Sequence, residues 1–217
     1  MKFAGKAKRL DDIDLPREAH RIGVGEDEIH AVLDVETLGS GFFPDGRLKM
    51  LPEGHIFYRE LAPGEPRDLA IAAGLAWRRW RDRRPYPKSA DARYQRLELM
   101  MKIDRDAALR SCSWALPQMM GFNCKLAGYP TAEAMIAAFV DDEEVQLRAM
   151  IEFIVNAGLD DELREHDWAG FARGYNGPGY AQHGYHIKLE RRFRWWQGKP
   201  DTPWSPGLSV LHHCEAA

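Results

Sequence analysis

Residues 30–46, HAVLDVETLGSGFFPDG, carry the chain out of a helix and into a hairpin. Just upstream, Ile29, Val32 and Leu33 recur at the i, i+3, i+4 spacing of a buried helical face. The next member of that series, i+7, is Glu36, a carboxylate on the apolar stripe of its own helix, whereas Asp34 points to the opposite side. The spacing predicts a helix over EDEIHAVLDVET, with Glu26 and Asp27 at its positive end and Gly39 as a left-handed terminator. Downstream, Asp45 and Gly46 supply the turn of a small β-hairpin between Phe42, Phe43 and Leu48, Met50, Leu51. Pro44 makes one of its strands irregular or an edge.

The remainder reads as a series of short helices. An alanine-rich helix is expected from about Asp68, closed by Pro85 and Pro87 and weakened by Gly74, and Tyr94, Leu97 and Met101 mark another that continues toward Ala108. Thr131 is placed to cap AEAMIAAFV, and Leu147, Met150, Ile151 and Ile154 form an amphipathic stripe ending near Gly158. Asp167 caps WAGFARGY, which must stop at the Asn-Gly-Pro-Gly turn. The last periodic element joins Tyr185, Leu189, Arg192, Phe193 and Trp196. The expected fold is therefore mainly α with a small β-hairpin, a single domain over residues 1–196 followed by an irregular C-terminal tail over 197–217.

Composition narrows the function classes. With 217 residues, 45% of them hydrophobic, the chain is long enough for a real core. A net charge of −3 gives no global basic field, so no nucleic-acid partner is expected. No apolar run reaches membrane-spanning length and the N-terminus lacks a signal-like apolar stretch, which predicts synthesis in the cytoplasm. Cys112, Cys124 and Cys214 are odd in number and lack CxxC spacing, so they read as reduced thiols, with neither disulfide framework nor zinc site. His212, His213 and Cys214 are adjacent on the tail and do not close a four-ligand shell; no metal is expected. A monomer is expected. Two basic and aromatic clusters, residues 77–84 and 188–196, suit anionic polymers or lipids if they lie on helices, and 188–196 is the candidate for anionic membrane contact. The alternative is a solvated helix whose tryptophans pack inward, the reading preferred for Trp80 and Trp196.

Glu36 is the sharpest candidate for chemistry. A carboxyl facing the core loses hydration, and the partial negative charge of a helix C-terminus disfavours its ionised form as well. Both effects raise its pKa and leave it protonated near neutrality, the state in which it can protonate a leaving oxygen. From position alone, a surface glutamate in a fraying last turn, paired with an arginine, stands as the alternative.

Five ordered segments add a resemblance: ETLGSGF from Glu36, the Asp45-Gly46-Arg47 turn, KMLPEGHIFYREL from Lys49, SWALPQMMGFN from Ser113, and ARGYNGPGY from Ala172. Together, over roughly residues 10–196, they resemble the N-acetylmuramidase catalytic domain of phage endolysins, within the lysozyme-like superfamily. The resemblance implies a lysozyme-like fold, a substrate of peptidoglycan glycan strands, no cofactor, and action on the periplasmic cell wall after release. It implies that Glu36 is the catalytic acid and matches Glu53 to the family's other recurring glutamate, a second carboxylate that positions water or a structural hydrogen-bond acceptor. His55 reads as a hydrogen-bonded framework residue. Ser40, Ser113, Gln118, Met119, Asn123, Tyr175 and Asn176 become substrate-contact candidates, although Met119 and Met120 also suit a core and Asn176 suits a helix cap. Cleavage of the β-1,4 bond after N-acetylmuramic acid is expected. A lytic transglycosylase on the same bond, or a catalytically impaired peptidoglycan-binding module, are the alternatives. The chain departs from the pattern at Thr37, at Pro52, where phenylalanine is usual, and at Ala115, where glycine is usual; the last obliges the backbone there to accept a β-carbon.

Overall fold

The computed structural model describes residues 3–37, 39–82 and 84–206. The chain forms two compact units, each built from two stretches: residues 1–8 with 40–146, and residues 9–39 with 147–217. Helices dominate both, and the described strands form one small antiparallel sheet.

In the first unit the sheet runs in the order β1 (Met50–Pro52), β2 (Cys112–Trp114), β3 (Met119–Met120). Met50 pairs with Trp114 and Pro52 with Cys112, and Ser113 pairs in turn with Met120. The expected hairpin is present but narrow. Phe42 bridges Leu48, the Phe43 amide donates to the Arg47 carbonyl at 2.8 Å, and Gly46 takes the left-handed conformation at φ 80°. Strands of two and three residues are too short to show a period of two, so β2 and β3 could not be read from alternation. Pro52 is tolerated because it ends an outer strand, where its missing N–H interrupts little; the next amide, of Glu53, donates to Ser111 at 3.2 Å.

The core of this unit gathers Leu48, Met50, Phe57, Leu97, Met100, Leu109, Trp114, Met135 and Phe139, all fully or nearly fully buried. Its polar atoms are paired: the Trp114 indole donates to Leu109 at 2.9 Å and the Tyr94 hydroxyl to Leu48 at 2.6 Å. Two expected helices are shorter than the sequence suggested. The alanine-rich helix spans only Glu65–Ala72, because Gly74 turns left-handed and the amides of Leu75 and Ala76 fold back onto the Ala70 carbonyl. The helix through Tyr94 is Ala90–Ile103, with Met100 rather than Met101 inward. It stops at Asp104, whose extended backbone and side chain cap a new helix, Arg105–Arg110, through the Ala107 amide at 2.9 Å. Thr131 caps Ala132–Phe139 as expected, accepting from Ala134 at 3.1 Å.

The second unit opens with a helix the periodicity did not reveal, Asp14–Ile22. Its inward face includes Asp14 and Glu18, both almost fully buried, whose carboxylates are neutralised by Arg17 and by Arg21 and Arg148. Charges on the inner face hid the stripe. Glu26–Glu36 follows, with Ile29, Val32 and Leu33 buried and Asp34 exposed, as the spacing required. The helix is closed by Thr37 in extended conformation, its amide donating to Leu33 at 2.9 Å. Gly39 has a positive φ of 85° two residues past that cap. Leu147, Met150, Ile151 and Ile154, on the helix Glu143–Asn156, complete the core with Phe171, Ala172 and Leu189. Trp168–Asn176 is capped by Asp167, which accepts from Gly170 at 2.9 Å, and ends at Gly177 with φ 80°. Tyr180–His183 and Tyr185–Trp196 are the last helices, and residues 197–206 are irregular. Among the described residues no helix is long and apolar enough to cross a membrane. Cys112 and Cys124 are free, buried thiols. The trio His212, His213 and Cys214 lies outside the described residues.

Candidate active site

In the second unit, Glu36 is the last residue of its helix, where the apolar stripe of Ile29, Val32 and Leu33 carries its side chain toward the core. Its residue surface is only half-buried, but protein atoms enclose the carboxyl, and that burial pushes its pKa from 4.5 to about 7. Two groups oppose the rise without overcoming it. The Asn176 amide donates to both carboxyl oxygens at 3.0 Å, and the Lys188 ammonium favours the ionised form through space. The result is an acid divided between its two protonation states near pH 7. Among the described residues no arginine pairs with Glu36, and Asp34 instead takes Arg192 and the Trp196 indole.

Tyr175 sits beside Asn176, its ring stacked on Phe171 and edge-on to Phe153, with centroids 5.4 Å away in each case. Burial and the neighbouring Glu36 carboxylate push its phenol above the ordinary range, and the same causes act on Tyr185. Both phenols therefore stay neutral, available as donors that bring no charge. Asn176 caps no helix end of its own by side chain; its Oδ1 is buried and accepts no hydrogen bond. Tyr175 and Asn176 were legible in the ARGYNGPGY segment. Tyr185 and Lys188 were not, because each belongs to a helix whose amphipathic pattern accounts for them without a site.

In the first unit, Glu53 caps the helix Gly54–Glu60 by backbone position, with no capping bond from its side chain. Its carboxylate accepts from the Tyr86 hydroxyl at 2.7 Å, while His55 Nδ1 stands 3.4 Å off and makes no hydrogen bond there. Tyr86 lies in an irregular stretch between Pro85 and Pro87, where no periodicity singles it out. Among the described residues of the adjoining segment 77–84, Trp77 is buried beside Gly54 and only Trp80–Asp82 makes a short 3-10 turn, with no α-helix. Trp80 is 53% exposed, which corrects the expectation that it packs inward. Trp196 is half-buried, stacked on His30 at 3.7 Å with its indole donating to Asp34.

Ser113 and Gln118 belong to the β2–β3 turn and bond each other, the hydroxyl donating to the amide oxygen at 3.1 Å; the Gln118 amide then donates to Ala115 at 2.8 Å. Ala115 is fully buried with φ 63°, so the residue in place of glycine does hold a left-handed backbone with its β-carbon. Met119 is buried, Met120 half-buried, and Asn123 half-buried at the end of the 3-10 turn Gly121–Asn123. Ser40 donates to the buried Glu143 carboxylate at 2.9 Å, and the Gly41 amide donates to the same oxygen at 2.8 Å. Gly41 is obligatory here, since a β-carbon would lie 1.9 Å from Gln146 Oε1. Glu143 and Gln146 precede the apolar stripe of their helix, so two polar residues ahead of that stripe were the available signal.

On the 188–196 helix, Leu189 and Phe193 face inward, while Lys188, Arg191, Arg194 and Trp195 lie on the exposed side.

The family model described as N-acetylmuramidase matches residues 26–197, a span that takes in Glu36, Glu53, Ser113 to Asn123 and Asn176. Among solved structures, the crystal structure of the Burkholderia AP3 phage endolysin is 38% identical. That match covers 88% of this chain and 73% of the endolysin chain with a TM-score of 0.77. No curated protein matches. On a family match over most of its length and a solved relative of the same fold, the chain belongs to the N-acetylmuramidase family and is a glycoside hydrolase of the peptidoglycan-degrading kind.

Proposed function

We propose that the chain is an endolysin-type N-acetylmuramidase that hydrolyses the β-1,4 bond between N-acetylmuramic acid and N-acetylglucosamine, with Glu36 as general acid. The observation that carries this reading is the enclosed Glu36 carboxyl, held by the Asn176 amide and still partly protonated near neutral pH. The Glu36 proton passes to the glycosidic oxygen as the bond to the anomeric carbon breaks. Water adds to that carbon and gives up its proton to solvent, from which Glu36 is reprotonated.

Turbidity loss of outer-membrane-permeabilised cells tests the assignment with wild type and Glu36→Gln. Glu36→Gln is expected to slow lysis by about 100-fold or more, and equal lysis by wild type and Glu36→Gln would overturn the catalytic role. Mass spectrometry of the released fragments is expected to find reducing muramic acid ends. Anhydromuramic ends would replace the hydrolase with a lytic transglycosylase.

A further inference from the structure

Lys188 stands on the helix packed against that of Glu36. It lies in the helix Tyr185–Trp196 with its side chain exposed and its ammonium 5.3 Å from the Tyr185 ring centroid. Its neighbours Arg192 and Arg194 are paired with Asp34 and Glu190, but Lys188 makes no ion pair with any described residue. Arg192, one turn along the same helix, bonds Asp34, two residues before Glu36, and this pairing of the two helices sets Lys188 beside Glu36, where its ammonium acts on the carboxyl through space. Asn176, which holds Glu36, keeps its own Oδ1 buried and without a donor. A buried acceptor left unmade costs about 1–3 kcal/mol, so the native site gains when something brings it an N–H.

Among the described residues, the surroundings of Glu36 thus present an unfilled acceptor and an unpaired cation. A ligand that satisfies both carries an N–H and a carboxylate. An N-acetylglucosamine polymer supplies acetamido N–H groups alone, whereas N-acetylmuramic acid adds a lactyl carboxylate on the same ring. We infer that Lys188 recognises the lactyl carboxylate of N-acetylmuramic acid and sets the enzyme's preference for carboxylated over neutral glycan. The inference rests on the proposed function and deepens it. Engaging the substrate carboxylate also draws the ammonium's charge away from Glu36. Bound substrate then helps Glu36 keep the proton it must donate.

Calorimetric binding of a peptide-free tetrasaccharide of alternating N-acetylglucosamine and N-acetylmuramic acid tests this in the Glu36→Gln protein. The reference ligand is the same tetrasaccharide with its carboxyls reduced to alcohols. Glu36→Gln is expected to bind the carboxylated form about tenfold more tightly, as a charge-assisted contact provides. Adding Lys188→Met abolishes that ratio, and Lys188→Arg retains it. Affinities that do not distinguish the two ligands, or a ratio untouched by Lys188→Met, overturn the inference and leave the catalytic assignment standing. A Glu36→Gln protein that still cleaves the tetrasaccharide overturns the catalytic assignment instead.

Discussion

Replacing Glu36 with glutamine is expected to stabilise the protein at alkaline pH and to do little at acid pH. The sign follows from proton linkage. The folded state binds a proton up to about pH 7, whereas the unfolded chain releases it near 4.5. Between those values the folded state holds more protons, so stability falls as pH rises from about 4.5 through 7, and the full penalty remains above. At about 1.4 kcal/mol per pH unit, the interval from 4.5 to about 7 amounts to roughly 3 kcal/mol. Glutamine keeps the shape and a hydrogen-bonding partner for Asn176 but carries no charge to desolvate. Urea unfolding of both proteins at pH 4.5 and pH 8.5 isolates the effect, because packing changes common to both pH values cancel in the double difference. The variant should gain about 3 kcal/mol more at pH 8.5 than at pH 4.5, or about 6–12 °C in Tm for a chain of this size. A double difference near zero, or one of opposite sign, would refute the claim that burial disfavours the ionised carboxyl.

Two further substitutions test how the first unit is built. Gly41→Ala forces a β-carbon to within 1.9 Å of Gln146 Oε1, and Gln146 cannot move without giving up its bonds to Leu116 and Phe139 at 3.0 and 2.7 Å. A loss of about 2–4 kcal/mol in urea unfolding is expected, and a loss under about 1 kcal/mol would mean the loop yields freely. Ala115→Gly relieves about 1–2 kcal/mol of left-handed strain. It forfeits about 0.8 kcal/mol for the buried methyl and about 0.4–1 kcal/mol through the freer unfolded chain. Its stability should therefore stay within about 1 kcal/mol of wild type, and a loss above about 2 kcal/mol would contradict this account of how alanine replaces the family's usual glycine.

The parts of the fold that the sequence revealed are those where a local rule and the tertiary structure agree. Ile29, Val32 and Leu33 form a stripe that the core uses directly, so Glu36 stood out as its one carboxylate. Asp167 and Thr131 are caps that need only their own helices. The helix Asp14–Ile22 failed that rule, because its inward Asp14 and Glu18 depend on arginines, one of them from a distant part of the chain. Gly74 outweighed its alanine-rich context because a left-handed residue lets two amides close on Ala70. Tyr86 and Lys188 escaped notice for a different reason. Each gains its meaning from a carboxylate far away in sequence, and neither residue type nor spacing announces a partner that only folding supplies.

The most direct test of the central claim is a carbon-13 NMR titration of the Glu36 side-chain carboxyl in the folded wild-type protein, assigned by comparison with Glu36→Gln. A midpoint near 7 is predicted, in keeping with a carboxyl enclosed by protein and held by Asn176. A midpoint at or below the ordinary glutamate value of about 4.3 would contradict it and remove the proton on which the proposed cleavage depends.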